Sequence, residues 1–328
     1  MIKVYSISGL IAVFSLLMAL FSSTSEDVLG ANSVAELLAS KGMNYDDKRP
    51  DFSIEGVSAE VGRQLFHEGF AQKPNGKKTK KQSKHFVCTS CHNTVKEDPN
   101  LAVSDPQARL IYAEKSGIPF LQGTTMYGAV NRQTYYNGDY YKKYGDLVEG
   151  ARHDVRGAIQ LCATECAQGR ALKDWELESI LAYMWTLELT LDDIDLDQAT
   201  AENLDVESIQ ARYLQGSPAT FVPPPSDRRE GTGLYGNPKN GQLIYDKSCL
   251  HCHYRGKYSF LHLDDSRLSF KHLKKNIGKY SRHSLYQVTR WGVPVKSGKR
   301  SYMPQYPQER MSDQQLADLR SYIEKRAQ

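Results

Sequence analysis

The chain has 328 residues, of which 40% are hydrophobic and 24% are charged, and its formal net charge is +4. A chain of this length is large enough for two domains of ordinary size. The small net charge gives no reason to expect a nucleic-acid partner.

The first 25 residues have the order of a secretory signal. Lys3 is followed by an uncharged apolar run over residues 4–21 and then by small polar residues at 22–25. We therefore predict a signal peptide or an uncleaved anchor at residues 1–25, and hence an exported, periplasmic protein. No later stretch of the sequence is long and apolar enough to span a bilayer, so membrane contact is expected only through this segment.

Two Cys-x-x-Cys-His motifs lie in the rest of the sequence. Each motif places two thiols for covalent attachment to the vinyl groups of one haem, and a histidine to ligate its iron. A zinc ribbon is the alternative, but it separates its cysteine pairs by about 15–20 residues, whereas these motifs start 161 residues apart. The sequence therefore predicts two covalently bound haem c groups. Their attaching and ligating residues are Cys88, Cys91, His92, Cys249, Cys252 and His253.

The two motifs lie in a predicted internal repeat. Gly62 and Gly241 each begin a short helical pattern that leads towards a motif, and an amphipathic helix starts near Asp174 and again near Asp313. This order resembles the class I cytochrome c domain, in which the first and last helices cross and the glycine permits their close contact. The resemblance implies a mainly α protein with two class I cytochrome c-like haem domains joined by an irregular linker.

The predicted domains differ in length and decoration. We place the first at residues 45–192, the linker with its prolines at 193–236, and the second domain at 237–328. The first domain has roughly 18 extra residues before its motif, and this insertion is either a solvated loop or a docking patch for an acidic partner or an anionic substrate. Its lysines are Lys73, Lys77, Lys78, Lys80, Lys81 and Lys84.

The sixth ligand of the second haem is predicted to be Met303. It lies 50 residues after His253 and immediately before a proline, and this context resembles the class I pattern in which a methionine thioether binds the iron. The alternative is a methionine packed in the core. Ligation by histidine and methionine raises the reduction potential, so this haem is expected to be the easier one to reduce.

The first haem has no methionine at the equivalent position. The repeat places Thr164 there, between Cys162 and Cys166, and a thiolate ligand donates strongly to iron and lowers its potential. A disulfide between these two cysteines, or a buried thiol, is the structural alternative. Met126 and His153 are competing sixth ligands.

The segment from Ile159 to Met184 resembles the cysteine-ligand segment of dihaem thiosulfate dehydrogenases and of the dihaem subunit of the sulfur-oxidising Sox complex. The resemblance implies that Cys162 is the distal ligand of a His/Cys haem at which sulfur chemistry takes place. Ala158 and Cys166 stand where that family has an arginine and a serine. Arg152 and Arg156 are nearby cations that we assign to the candidate catalytic site with Cys162.

These features support two main functional hypotheses. In the first, thiosulfate or a related small sulfur anion is oxidised at the His/Cys haem, and electrons leave through the His/Met haem to a soluble or membrane-bound acceptor. In the second, the protein is a non-enzymatic electron-transfer subunit of a respiratory complex. A dihaem peroxidase is a third and weaker alternative, since the cysteines of the first domain have no role in it.

Overall fold

The computed structural model describes residues 32–73, 75–293 and 303–328, and the predicted signal at residues 1–25 lies outside them. Over the described residues the chain is helical, and its β pairing consists of isolated bridges only. The prediction of a mainly α protein is therefore confirmed. In this part of the chain, no helix is long and apolar enough to cross a membrane.

Among the described residues, nine α-helices precede residue 215. They are α1 (Val34–Ser40), α2 (Ala59–Glu68), α3 (Pro106–Lys115), α4 (Asp139–Tyr144), α5 (Asp146–Glu149), α6 (Val155–Leu161), α7 (Asp174–Trp185), α8 (Gln198–Glu202) and α9 (Val206–Gln210). Short 3-10 turns lie at Asp46–Lys48, Cys88–Ser90, Ala129–Asn131 and Asp192–Ile194, and α6 continues into a π-helical turn at Cys162–Cys166.

Five further α-helices follow in the described part of the chain. They are α10 (Pro238–Ile244), α11 (Leu250–His253), α12 (Arg267–Asn276), α13 (Leu285–Trp291) and α14 (Asp313–Arg326). A second π-helical turn, Tyr245–Cys249, connects α10 to α11. Helix α14 begins at a capping box, in which Ser312 accepts from the Gln315 amide and the Gln315 side chain accepts in return.

Two glycines permit the same helix crossing in both halves of the chain. A Cβ atom at Gly62 of α2 would overlap the carbonyl oxygen of Ser179 in α7, and one at Gly241 of α10 would overlap the carbonyl of Asp318 in α14. Only glycine allows a backbone to approach so closely. The structure therefore has, in each half, the glycine contact that the class I resemblance implies.

Replacing Gly241 with alanine is expected to lower the free energy of unfolding by about 1–3 kcal/mol, because the added methyl group forces α10 away from α14. Chemical denaturation of the haem-loaded protein would measure the change. Gly150→Ala is the control, since a Cβ at Gly150 meets no atom within 4 Å and its φ is −63°. Equal stability of both variants would contradict the close crossing.

The first hydrophobic core extends beyond residues 45–192. It begins with Val34 and Leu38 of α1. It also includes Ile209 of α9 and Tyr213, which follows α9. The early part of the segment predicted as a linker is therefore packed against the first core. Burial of its apolar side chains there lowers the free energy of the folded chain.

The second hydrophobic core is built from both halves of the sequence. Tyr245, Phe270 and Tyr322 pack their rings together at its centre. Leu110 of α3 and Phe120 also belong to this core, although the sequence analysis places them in the first domain. Helix α3 therefore joins the two halves.

Candidate haem sites

The first motif lies on the wall of a large cavity. Cys88, Cys91 and His92 line it, and its volume is about 1660 Å³ including the mouth. Most of the other lining side chains are apolar, among them Phe66, Ile180 and further residues of the first core. An apolar lining of this kind suits a large, flat, apolar group.

Both motif histidines are oriented as iron ligands. His92 Nδ1 lies 2.6 Å from the carbonyl oxygen of Thr124, and His253 Nδ1 lies 2.8 Å from that of Leu261. A carbonyl oxygen only accepts hydrogen bonds, so Nδ1 is the protonated nitrogen and Nε2 is left for a metal. Burial lowers the pKa of both histidines, which favours the neutral ligand form.

The two motifs are in direct contact. Cys252 Sγ lies 4.0 Å from the carbonyl oxygen of Ser90, between the two cysteines of the first motif. His251 is adjacent to Thr89, and burial lowers the pKa of this histidine to about 4. Although the motifs start 161 residues apart in the sequence, the fold brings the two attachment sites together.

Cys162 and Cys166 both line the first cavity. They lie at the two ends of the π-helical turn, where the Ala167 amide donates to the Cys162 carbonyl oxygen at 2.8 Å, and π turns often occur at functional sites. The two residues are thiols and do not form the disulfide that was one alternative. A hydrogen bond with Cys166, followed by burial, raises the pKa of Cys162 well above its usual value.

The end of the lysine-rich insertion holds the cysteine turn in place. Gln82 Nε2 donates to the Ala163 carbonyl oxygen at 2.8 Å, and Ser83 Oγ donates to that of Ala167. The lysines of the insertion are exposed, whereas Ser83 is buried. The insertion therefore has a structural part against the cavity wall and a charged part in solvent.

Tyr136 and Tyr140, from a tyrosine-rich stretch of the first half, line one side of the cavity. The Tyr136 hydroxyl donates to the Ala158 carbonyl oxygen at 3.1 Å. Burial and the neighbouring Cys166 raise the pKa of Tyr140, which places its ring near the cysteine turn. This role was not predicted from the sequence, in which the high density of tyrosines was the available signal.

The competing sixth ligands have different positions. Met126 lines the cavity, but its amide donates to the Asn93 carbonyl oxygen at 2.8 Å, and it follows Thr124 by two residues. Met126 therefore lies on the cavity wall, on the loop that also contains the acceptor for His92. His153 is exposed and is not among the described residues that line the cavity.

The arginines assigned to the catalytic site have other partners. Arg156 forms an ion pair with Glu178 at 2.6 Å and also donates to the carbonyl oxygen of Arg49. The Arg152 guanidinium lies over the Tyr141 ring, 4.7 Å from its centroid. Neither arginine is among the described residues that line the cavity, so the structure does not bring them to Cys162.

Two other arginines do reach the cavity wall. Arg132 donates to the Thr125 carbonyl oxygen at 2.9 Å, and Arg310 donates to that of Gly123 at 2.7 Å. Both bonds flank Thr124, the acceptor for His92. Arg310 also pairs with Glu97 at 2.7 Å, and both side chains are buried. These arginines therefore stabilise, from both sides, the loop that accepts the hydrogen bond of His92.

Met303 is the first residue described after the gap at 294–302. It is partly buried against the second core, and its carbonyl oxygen accepts from the Val293 amide at 2.8 Å. The next residue, Pro304, lines the first cavity together with Pro307. The segment that follows Met303 therefore lies between the second core and the first cavity.

Comparison with known proteins identifies the second half of the chain. Residues 236–323 match the family described as Cytochrome C oxidase, cbb3-type, subunit III. This segment, which contains the second motif and Met303, is a cytochrome c domain, and such a domain implies covalently bound haem c and electron transfer. The first half lies outside the match. No curated protein and no solved structure matches the chain.

Proposed function

We propose that this protein is an exported dihaem c-type cytochrome that transfers electrons. The observation that carries the proposal is the contact between the two motifs, in which Cys252 Sγ lies 4.0 Å from the Ser90 carbonyl oxygen. Haem c, when bound, supplies a reversible one-electron couple. Attachment at two touching motifs favours direct passage of an electron from one site to the other. Residues 1–25 support export to the periplasm.

The chain's own residues give the two sites different properties. At the first site, His92 and Cys162 would ligate the haem iron, in a cavity whose wall is mostly apolar. At the second site, His253 and Met303 would ligate it. Thiolate ligation lowers a reduction potential and thioether ligation raises it, so electrons are expected to leave through the second site.

The haem content of the purified protein tests the dihaem proposal. We expect two haems per chain from the haemochrome absorbance in alkaline pyridine, with the corresponding mass increase in denaturing mass spectrometry. The double variant Cys249→Ser/Cys252→Ser should retain one haem, because only the second motif is lost. Cys166→Ser is the control and should retain two. A wild-type chain with a single haem would refute the proposal.

A second candidate function is oxidation of a small sulfur anion at the first site. It is favoured by the position of Cys162 and Cys166 on the cavity wall and by the presence of Arg132 and Arg310 in the same wall. Joining two thiosulfate ions by a new S–S bond releases two electrons, which two haems, when bound, would accept. Arg310 is largely neutralised by Glu97, which weakens the attraction for an anion.

Thiosulfate-dependent reduction of the haem absorbance separates the two functions. An enzyme would be reduced by thiosulfate, and the Cys162→Ala variant would lose most of that rate. A protein that exchanges electrons with a redox dye but remains oxidised in thiosulfate is an electron-transfer subunit only.

A further inference from the structure

The second half of the chain contains a long stretch without acidic residues. Residues 266–308 include ten of the 42 lysines and arginines of the chain and none of its 38 aspartates and glutamates. The remaining residues therefore have a net charge of −6. The near-neutral total conceals a strong separation of charge, which produces a directional electrostatic field around a protein.

Helix α12 presents much of this charge to solvent. Its inner face is formed by Phe270, which packs against Tyr245 with ring centroids 5.0 Å apart, and by the partly buried Leu273. The other face is exposed. We define the basic surface as the exposed cations of α12 and of the loop after it, namely Lys271, Lys274, Lys275, Lys279 and Arg282.

The cations of the basic surface are not neutralised within the fold. Among the described residues, none of them is in an ion pair. Lys271 and Lys275 are also four residues apart on one helix, a spacing at which like charges destabilise the helix by about 0.2–0.5 kcal/mol. Lys274 and Lys275 lie in the last turn of α12, where a cation favours the helix dipole. That local effect does not account for Lys271, Lys279 and Arg282, so a role in binding explains the whole surface better.

The basic surface also has apolar side chains. Leu268 precedes Lys271 and Lys275 on the outer face of α12 and is 78% exposed, and Tyr280, beside Lys279, is 73% exposed. An apolar contact with a charged rim is typical of protein interfaces, and small interfaces of this kind occur in transient redox complexes. A nucleic-acid backbone has no need of Leu268.

The position of α12 connects the basic surface with the second haem site. Phe270 packs on Tyr245, and Tyr245 is the first residue of the turn that ends at Cys249. One layer of aromatic side chains therefore separates α12 from the segment that carries a haem cysteine. A partner on this surface would be close to the site from which electrons are expected to leave.

From these observations we propose that the basic surface is the docking site for an acidic electron-accepting protein. The proposal rests on the proposed electron-transfer function, and it assigns the exit to the second half of the chain. The lysine-rich insertion beside the first cavity takes no part in this docking. Opposite charges steer such partners together and raise the association rate, an effect that salt suppresses.

The test measures reoxidation of the reduced, haem-loaded full chain by an acidic blue-copper protein in a stopped-flow instrument. In Lys271→Gln/Lys274→Gln/Lys275→Gln, we expect the second-order rate constant at low salt to fall tenfold or more. The dependence of this rate constant on salt should weaken as well. Glutamine keeps the helix propensity, and thermal melting would verify the fold.

The matched control is Lys73→Gln/Lys77→Gln/Lys81→Gln, which removes the same charge from the exposed insertion. We expect its rate constant to change less than twofold. An equal fall in both variants, or a fall in the control alone, would overturn the proposal. So would a loss of binding to anionic phosphatidylglycerol vesicles in the α12 variant with an unchanged rate. Haem content, measured on each sample, separately records a failure of the dihaem proposal.

Discussion

Replacing Cys162 with alanine is expected to remove the thiolate signature of the first haem from the low-temperature EPR spectrum. It should also raise that haem's reduction potential by on the order of 100 mV, because a thiolate donates more strongly to iron than the water or neutral side chain that replaces it. Potentiometric titration of the haem absorbance would measure the shift. The second haem should keep its potential.

The environment of Cys162 gives this prediction its physical basis. The hydrogen bond with Cys166 and burial both raise the pKa of the Cys162 thiol, so the protein alone favours the protonated form. A thiolate at this position therefore depends on the positive charge of bound iron, since metal ligation and deprotonation of a cysteine are coupled.

Cys166→Ala is the matched control for the ligand assignment, because Cys166 lines the same cavity four residues away. We expect it to retain the thiolate signature. Loss of the signal in Cys166→Ala alone would assign the ligand to Cys166. Retention of the signal in both single variants would contradict ligation by a unique cysteine, and its absence from the wild type would contradict cysteine ligation altogether.

Replacing Glu97 with glutamine is expected to lower the free energy of unfolding by about 3–5 kcal/mol, because two buried arginines lose their counter-ion. Glu97 lies 2.7 Å from Arg310 and 3.9 Å from Arg109, and all three side chains are buried. Its carboxylate also accepts from the Thr125 amide at 2.8 Å. The variant should therefore loosen the loop that orients His92. It should also weaken the contact between the two halves.

The contribution of Glu97 should depend on pH in a defined direction. Burial opposes its ionisation, but Arg310 and Arg109 outweigh burial and lower its pKa to about 2. Because the pKa is lower in the folded state than the unfolded value near 4.3, the stabilisation is complete above that value. It is lost as the pH falls towards 2.

Denaturation with guanidinium at pH 7 and at pH 3 would test the role of Glu97. The difference in the free energy of unfolding between wild type and Glu97→Gln should be smaller at the lower pH. The control is Glu60→Gln, which removes an exposed ion pair with Arg63, and it should leave the midpoint unchanged at both values. A Glu97→Gln variant that unfolds like the wild type would contradict the role assigned to the buried charges.

Several structural features followed from the order of local sequence patterns and the resemblance that this order carries. The resemblance to the class I cytochrome c domain implied the close helix pairs at Gly62 and Gly241. It also implied the mainly α class. The position of Cys162 on the wall of the first cavity was also expected, from the internal repeat and from the resemblance.

Other features of the candidate sites could not be read from the sequence. Arg156 is two residues from Ala158 and six from Cys162, yet its side chain pairs with Glu178 on α7. Leu110 and Phe120 lie between the first motif and Cys162, yet they pack in the second core. Proximity along the chain does not determine the direction of a side chain or the partner of a helix, because long-range packing decides both.

The sequence by itself determined the covalent chemistry and the local elements. Two Cys-x-x-Cys-His motifs predict haem attachment through bonds that involve only five consecutive residues each. Only the tertiary structure brought Cys252 to Ser90, buried Glu97 between two arginines and turned Arg156 away from the cavity. These contacts join residues far apart in the chain, and their free energy comes from burial and charge pairing that exist only after folding.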